Sequence, residues 1–143
     1  MRFITVLGLL AVLGSFSCQS RETGNEELSA NIPLPDDFKV FYERFFTDSL
    51  YQLDHITFPL EGIPDNAPTV DPSFRFARDS WDLHHPINFQ ESGFQREFLL
   101  LTESIVAEKI THDSGGYGML RRYAKLGDDW YLIYYAGLNP LSQ

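Results

Sequence analysis

The sequence predicts an α+β domain in which a long N-terminal helix packs on a curved antiparallel sheet. Aromatic residues recur at helical spacing after Asp36, and short segments of alternating apolar residues, separated by Gly, Pro and Asp, follow from residue 54 onward. The roughly 108 residues after Pro35 are enough for one hydrophobic core. We therefore expect a single α+β domain over residues 36–143.

The helix is the first predicted element of this domain. Asp36 and Asp37 offer an N-cap and favourable charge at the helix N-terminus. Because this aromatic face is wide, it must be buried against a broad surface, and a β-sheet provides one. The apolar positions that define this face are Phe38, Phe41, Tyr42, Phe45, Phe46, Leu50 and Leu53.

Two strands are predicted in the middle of the chain. Residues 54–60 alternate apolar and polar side chains, and Pro59 favours an edge strand or a strand end because it cannot donate to a ladder. Residues 61–72 are rich in Pro, Gly and Asn and are predicted as a loop. A short strand is expected at Phe74–Phe76.

The C-terminal part predicts an antiparallel meander. Residues 94–110 fit either a short helix or an extended lead-in before a strand, since Phe94, Phe98, Leu101 and Ile105 suit helical spacing. The last strand is aromatic and β-branched enough to be central. Strands are expected over residues 104–112, 118–125 and 130–136, with Gly-containing turns at 114–116 and 127–129.

The first seventeen residues predict a secretory signal peptide. Arg2 supplies the positive end, Phe3–Leu13 the apolar region, and Gly14–Ser17 the small-residue approach to a cleavage site. The apolar run is about half of the roughly 20 residues that a membrane-spanning helix needs. We therefore expect residues 1–17 to be removed.

Cys18, the only cysteine, follows this segment directly and resembles the lipidated cysteine of a bacterial lipobox. Ser15 and Phe16 depart from the usual lipobox pattern, although Bacteroidetes lipoproteins vary more at these two positions. Acyl chains on Cys18 would hold the protein at a membrane, and residues 18–35 would form a flexible tether. The alternative is a secreted protein with a free thiol. The expected location is the cell envelope as an outer-membrane lipoprotein, with its periplasmic or surface face left open.

Charge argues against a nucleic-acid partner. The chain has 20 acidic and 11 basic residues, a net charge of -9, and loss of Arg2 with the signal peptide makes it more negative. Arg121-Arg122 is its largest basic cluster in sequence, so phosphate backbones would be repelled.

Residues 41–53 (FYERFFTDSLYQL) and 56–62 (ITFPLEG) resemble an uncharacterised domain family of Bacteroidetes lipoproteins, assigned to the nuclear transport factor two-like, cystatin-like superfamily. The resemblance implies a cystatin-like cone, a curved sheet wrapped by helices. It also implies a frequent internal pocket and frequent dimers through the outer sheet face. It brings no known activity.

The sequence offers candidate residues for two kinds of chemistry. An acid–base enzyme of the ketosteroid isomerase or dehydratase type would need a titratable group beside a hydrogen-bond donor inside the cone. A metal site at His84 and His85 is disfavoured because adjacent strand residues point to opposite faces. Accordingly no catalytic, cofactor-binding or metal-ligating residue is predicted. The enzyme candidates, none of them in a motif, are Tyr42, Asp48, Tyr51, Asp82, His84 and His112.

The favoured prediction is therefore noncatalytic: a lipid-anchored domain that binds a small apolar ligand in the cone or a protein partner on its sheet, a second copy included. Trp81, Phe74, Phe76 and Phe94 could line a pocket, although core packing is the first interpretation of each.

Overall fold

The computed structural model describes residues 33–141, which form two short helices and a six-stranded sheet. The helices are α1 (Asp36–Thr47) and α2 (Ser49–Asp54), with a single 3-10 turn at Arg78–Ser80. The strands are β1 (Ile56–Ile63), β2 (Arg75–Phe76), β3 (Phe94–Thr102), β4 (Ile105–His112), β5 (Tyr117–Leu126) and β6 (Asp129–Pro140).

The sheet has the order β2-β1-β6-β5-β4-β3 and is mixed. β1 runs parallel to β6, whereas every other neighbouring pair is antiparallel. The predicted all-antiparallel sheet is therefore wrong at one pairing. β1 and β6 are far apart in the chain, so local spacing and turn chemistry carry no information about their relative direction.

The predicted long helix is divided in two at Asp48. This residue has extended backbone angles (φ −124°, ψ 104°), and its carboxylate accepts a hydrogen bond from the Tyr51 amide at 3.0 Å. Asp48 therefore ends α1 and caps α2. Its short side chain with an acceptor oxygen is well suited to an N-cap position. At the start of α1 the N-cap is Pro35, without a side-chain bond, so Asp36 and Asp37 supply favourable charge in the first turn but no cap.

β1 is an internal strand, not the edge or strand end that Pro59 suggested. Its two neighbours are β2 and β6, and its register with β6 shifts between Ile56 and Glu61. Pro59 lies within this irregular stretch and is exposed, which is where a residue without an N–H is tolerated inside a sheet.

Residues 94–102 form β3, so the extended alternative is right and the helical one is wrong. β3 pairs along nearly its whole length with β4, from Phe94 opposite His112 to Thr102 opposite Ile105. That tertiary pairing overrides the helical spacing of its apolar residues. The other predicted strands lie where the sequence placed them, and β6 is central, between β1 and β5.

The core lies between α1 and one face of the sheet. Phe38, Phe41 and Phe45 are buried, and each ring packs edge-on against Tyr123 with centroids 5.4–6.0 Å apart. Phe38 also meets Trp130 at 5.0 Å. The aromatic face of the helix is thus covered by β5 and β6, as the sequence predicted.

Gly62 and Tyr135 show how closely β1 approaches β6. A Cβ on Gly62 would lie 1.9 Å from the carbonyl oxygen of Tyr135, so only glycine fits this position. Within residues 33–141 no helix is long and apolar enough to cross a membrane. Cys18, the predicted signal peptide and most of the predicted tether lie outside the described residues.

Candidate functional site

A cavity of about 250 Å³ lies beside α1, where the segment from His85 to Phe89 and the sheet meet it. Its wall is mainly apolar, and the polar groups on it include Tyr42 from α1, Arg96 from β3 and Arg121 from β5. The full lining consists of Tyr42, Glu43, Phe46, Thr47, His85, Pro86, Ile87, Phe89, Arg96 and Arg121.

Behind this wall lies a buried carboxylate, Glu108, with no solvent exposure. The Tyr42 hydroxyl donates to its Oε1 at 2.5 Å, and the Tyr123 hydroxyl donates to its Oε2 at 3.0 Å. Arg121 Nη1 donates to the same Oε2 at 3.1 Å. Three donors from α1 and β5 thus converge on one side chain of β4.

Strand register explains this convergence. Glu108 and Arg121 are directly opposite each other in the antiparallel β4–β5 pair, so their side chains share a sheet face. Val106 and Ile110, two residues to either side of Glu108, are fully buried on that same face. The pair therefore points toward α1, where Tyr42 completes it.

Because the ion pair is buried, its stability depends on the hydrogen bonds that it makes. The side chain of Arg121 is 4% exposed and that of Glu108 is 0% exposed. Removing both charges from water is costly, and the three donors on Glu108 offset that cost. Although burial alone disfavours the charged guanidinium, the adjacent carboxylate of Glu108 helps to hold the pKa of Arg121 above its ordinary value.

The two tyrosines are donors and not bases. Burial, followed by the nearby Glu108 charge, raises the pKa of Tyr42 and raises the pKa of Tyr123 well above its ordinary value. Both phenols are therefore neutral at physiological pH. Glu108 already accepts three hydrogen bonds and does not line the cavity, so it is not placed to act as a general base on a bound molecule.

Arg121 is not fully satisfied by this arrangement. Its Nε is buried and has no hydrogen-bond partner within residues 33–141. Arg96, at the cavity wall, donates from Nη1 to the Tyr42 hydroxyl at 3.3 Å, and its guanidinium lies 4.7 Å from the Phe89 ring centroid. The polar part of the cavity therefore includes two guanidinium groups and one tyrosine hydroxyl, beside Glu43, Thr47 and His85.

Gln52 fixes the segment that closes the cavity. Its amide donates to the Phe45 and His84 carbonyls at 2.7 and 2.8 Å, and its oxygen accepts from the Trp81 indole and the His84 amide. This buried side chain joins α2 to residues 81–84. The next residue, His85, begins the segment that lines the cavity.

His84 itself is packed between aromatic rings. Its ring centroid lies 4.7 Å from that of Trp81 and 4.6 Å from that of Tyr135. Nδ1 is buried without a partner in the described part of the chain, and burial lowers the pKa of His84 to about 3. His84 is thus a neutral, half-buried residue packed on the core, and it does not line the cavity.

Of the six enzyme candidates, only Tyr42 lies at the cavity. Asp48 caps α2, and the Tyr51 ring stacks on His55 with centroids 3.7 Å apart. His112 contacts Ser114 in the β4–β5 turn, with 2.8 Å between Nδ1 and Oγ, while Asp82 is exposed. The sequence-based candidates therefore do not form one site.

The pocket aromatics suggested by the sequence do not line this cavity either. Trp81 is a buried core residue, and Phe76 packs edge-on against it at 5.4 Å. Phe74 packs on Phe76, and Phe94 lies near His112. Core and edge packing, the first interpretation, accounts for Trp81, Phe74 and Phe76, whereas Phe94 lines a second cavity of about 240 Å³ together with His112. Across residues 33–141 no three His, Cys, Asp or Glu side chains are grouped so that they could hold a metal ion.

The sequence reasoning missed Glu108, Arg121 and Arg96. One signal was present: Glu108 alternates on its strand with the apolar residues Val106 and Ile110. A charged residue in such a pattern indicates a buried, paired group. Its partner could not be named, because the pairing depends on the β4–β5 register.

Comparison with known proteins identifies the fold. No family model and no curated protein matches the chain. The crystal structure of a cystatin-like protein from Bacteroides caccae is similar over 70% of this chain and 74% of its own, with 20% identity and a TM-score of 0.52. A weaker likeness, with 14% identity and a TM-score of 0.39, is to a protein of Xanthomonas campestris described as a calcium/calmodulin dependent protein kinase II association domain. It covers 74% of this chain and 84% of that one. The chain thus has a cystatin-like α+β fold.

Proposed function

We propose that this domain binds a small ligand in the cavity beside α1 and that its role is noncatalytic. The observation that carries the proposal is the cavity itself: about 250 Å³, mainly apolar, with Tyr42, Arg96 and Arg121 as localised polar groups. Apolar walls with a few fixed polar groups are typical of small-molecule sites.

An acid–base enzyme remains the alternative, and the site meets one of its requirements. A buried carboxylate does lie within hydrogen-bond reach of a tyrosine next to a cavity. However, Glu108 already accepts three hydrogen bonds and does not line the cavity, whereas Tyr42 and Arg121 do. Its geometry favours holding those two side chains in place over moving a proton.

The test is direct detection of a bound molecule. We expect native mass spectrometry of the protein extracted from its own membranes to show a co-purified small molecule. Ile87→Trp, which fills the cavity wall, should abolish that signal, whereas Val70→Trp on an exposed loop should not. Retention of the molecule by a folded Ile87→Trp protein would place it elsewhere and refute the proposal. Turnover of the bound molecule would favour the enzyme instead.

We also propose that the domain is held in the cell envelope by lipid on Cys18. This rests on the sequence of residues 1–18, with an apolar segment followed by the single cysteine. Cys18→Ala should remove acyl labelling and release the protein from membranes in its native cell. Persistent acylation and membrane binding of that variant would refute the lipid anchor.

A second copy of the chain is the partner proposed for the other sheet face. Lys109 and Leu120 neighbour Glu108 and Arg121 in sequence and so point away from α1. They line an apolar groove of about 250 Å³ that also includes Ile63, Met119, Ala136 and Leu141. Sedimentation velocity of the wild type and Leu120→Glu tests this: a dimer lost in the variant supports the proposal, and a wild-type monomer refutes it.

A further inference from the structure

We infer that the ligand of the cavity carries a carboxylate, which binds the free edge of the Arg121 guanidinium. This inference rests on the proposed small-ligand function and adds the chemical class of the ligand. Its starting point is the unpartnered Nε of Arg121, a side chain that is 4% exposed and that also lines the cavity.

A buried N–H group that has no partner favours the binding of a hydrogen-bond acceptor. Glu108 engages only the Nη1 side of Arg121, at 3.1 Å, and its other two hydrogen bonds come from Tyr42 and Tyr123. The planar guanidinium has five donors in a fixed fork, so its Nε edge is left for a second group. A carboxylate matches that edge in a bidentate geometry that a neutral carbonyl cannot reproduce.

Arg96 supplies a second positive charge at the same cavity. Within the described residues it has no carboxylate within 4.0 Å, and its Nη1 contacts the Tyr42 hydroxyl at 3.3 Å. Glu43 also lines the cavity, but from the exposed side of α1. The buried end of the cavity is therefore the part suited to an anion, because the positive charge of Arg121 is least screened by water there.

The remaining walls of the cavity indicate which groups the ligand carries besides its carboxylate. Phe46, Pro86, Ile87 and Phe89 provide apolar walls around a volume of about 250 Å³. Together with the guanidinium edge, these walls suit a short aryl or branched aliphatic carboxylic acid. Inorganic anions lack the apolar body and would leave these walls exposed.

The experiment compares phenylacetate with phenylacetamide, which has the same shape and no charge. Binding to the full chain is measured by titration calorimetry, and the Arg121 Nε–H resonance is followed by NMR. We expect phenylacetate to bind at least about tenfold more tightly and to shift that resonance, because a charged acceptor strengthens the bond to the guanidinium.

Two variants and one control assign the preference to the guanidinium groups. Arg121→Lys keeps the positive charge beside Glu108 but lacks the fork, and Arg96→Gln changes a more exposed residue whose loss the fold should tolerate. Both should reduce the preference for phenylacetate several-fold. The control is Arg122→Gln, the next residue on β5, whose guanidinium stacks on Tyr134 on the other sheet face and which should bind like the wild type.

The outcomes separate the two proposals. Equal affinity for the acid and the amide would overturn the carboxylate inference and leave the small-ligand function standing. An acid preference that survives in Arg96→Gln and in a folded Arg121→Lys protein would overturn it as well. No binding of either compound at millimolar concentrations would overturn the inference and count against a ligand in this cavity.

Discussion

Glu108→Gln tests whether the buried cluster behaves as one unit. Glutamine keeps the size of the side chain but replaces one acceptor oxygen with a donor and removes the negative charge. Arg121, 4% exposed, would then be a buried charge without its partner. One of the donors on the carboxylate, from Tyr42, Tyr123 or Arg121, would also face an N–H.

The expected loss of unfolding free energy is about 3–5 kcal/mol, the usual cost of removing one partner from a buried ion pair. In a domain of this size, where 1 kcal/mol corresponds to about 4 °C, the melting temperature should fall by roughly 12–20 °C. Urea unfolding at neutral pH measures the free energy, with an unchanged m-value showing that the unfolding reaction itself is the same.

A double-mutant cycle separates the pair from its surroundings. Combining Glu108→Gln with Arg121→Met removes both charges, so the double variant should lose less than the sum of the single losses by more than about 1 kcal/mol. Glu103→Gln, at an exposed turn, is the matched control and should stay within about 0.5 kcal/mol of the wild type. A loss below about 1 kcal/mol for Glu108→Gln would refute the reasoning.

Three further predictions concern the elements around the site. Burial lowers the pKa of His84 to about 3, so below pH 6.5 the unfolded state binds more protons than the folded state. Lowering the pH from 7 to 5 should therefore reduce the free energy of unfolding by about 2 kcal/mol through His84. His84→Phe should remove that part of the pH dependence in urea titrations. Gln52→Ala should lose more than about 2 kcal/mol, measured by urea unfolding, by leaving several buried groups unpaired. Gly62→Ala should prevent soluble expression because its Cβ would meet the Tyr135 carbonyl at 1.9 Å, whereas Gly116→Ala should be tolerated.

Each of these predictions has a control or a contrary result. An unchanged pH profile in His84→Phe would contradict the role of burial. Gln95→Ala is the exposed comparison for Gln52→Ala and should be nearly neutral. A soluble Gly62→Ala protein with the wild-type melting temperature would show that β1 and β6 are not so closely packed.

Much of the fold could be predicted because its local signals are strong. The aromatic spacing from Phe38 to Phe46 indicates a helix, and its broad apolar face requires a sheet. The β4–β5 and β5–β6 turns carry the glycines with positive φ, Gly115 and Gly127, that such hairpins need. These features depend on neighbouring residues only, so a single sequence contains them.

The candidate site was less predictable, because its groups come from α1, β3, β4 and β5. Tyr42 was a candidate among seven tyrosines, and nothing local distinguished it. Its contact with Glu108, 66 positions along the chain, exists only after the helix is laid on the sheet. A long-range contact of that kind produces no regular spacing in the sequence from which it could be predicted.

The sequence by itself determined the helix, most strands, the acidic balance and the prediction of a lipid anchor at Cys18, because each depends on composition or short-range pattern. Only the tertiary structure decided that β1 joins β6 in parallel, that Asp48 divides the helix, and that a buried ion pair backs an apolar cavity. The physical reason is that register and packing set which distant side chains meet. Their chemistry then follows from burial and from the partners that they find there.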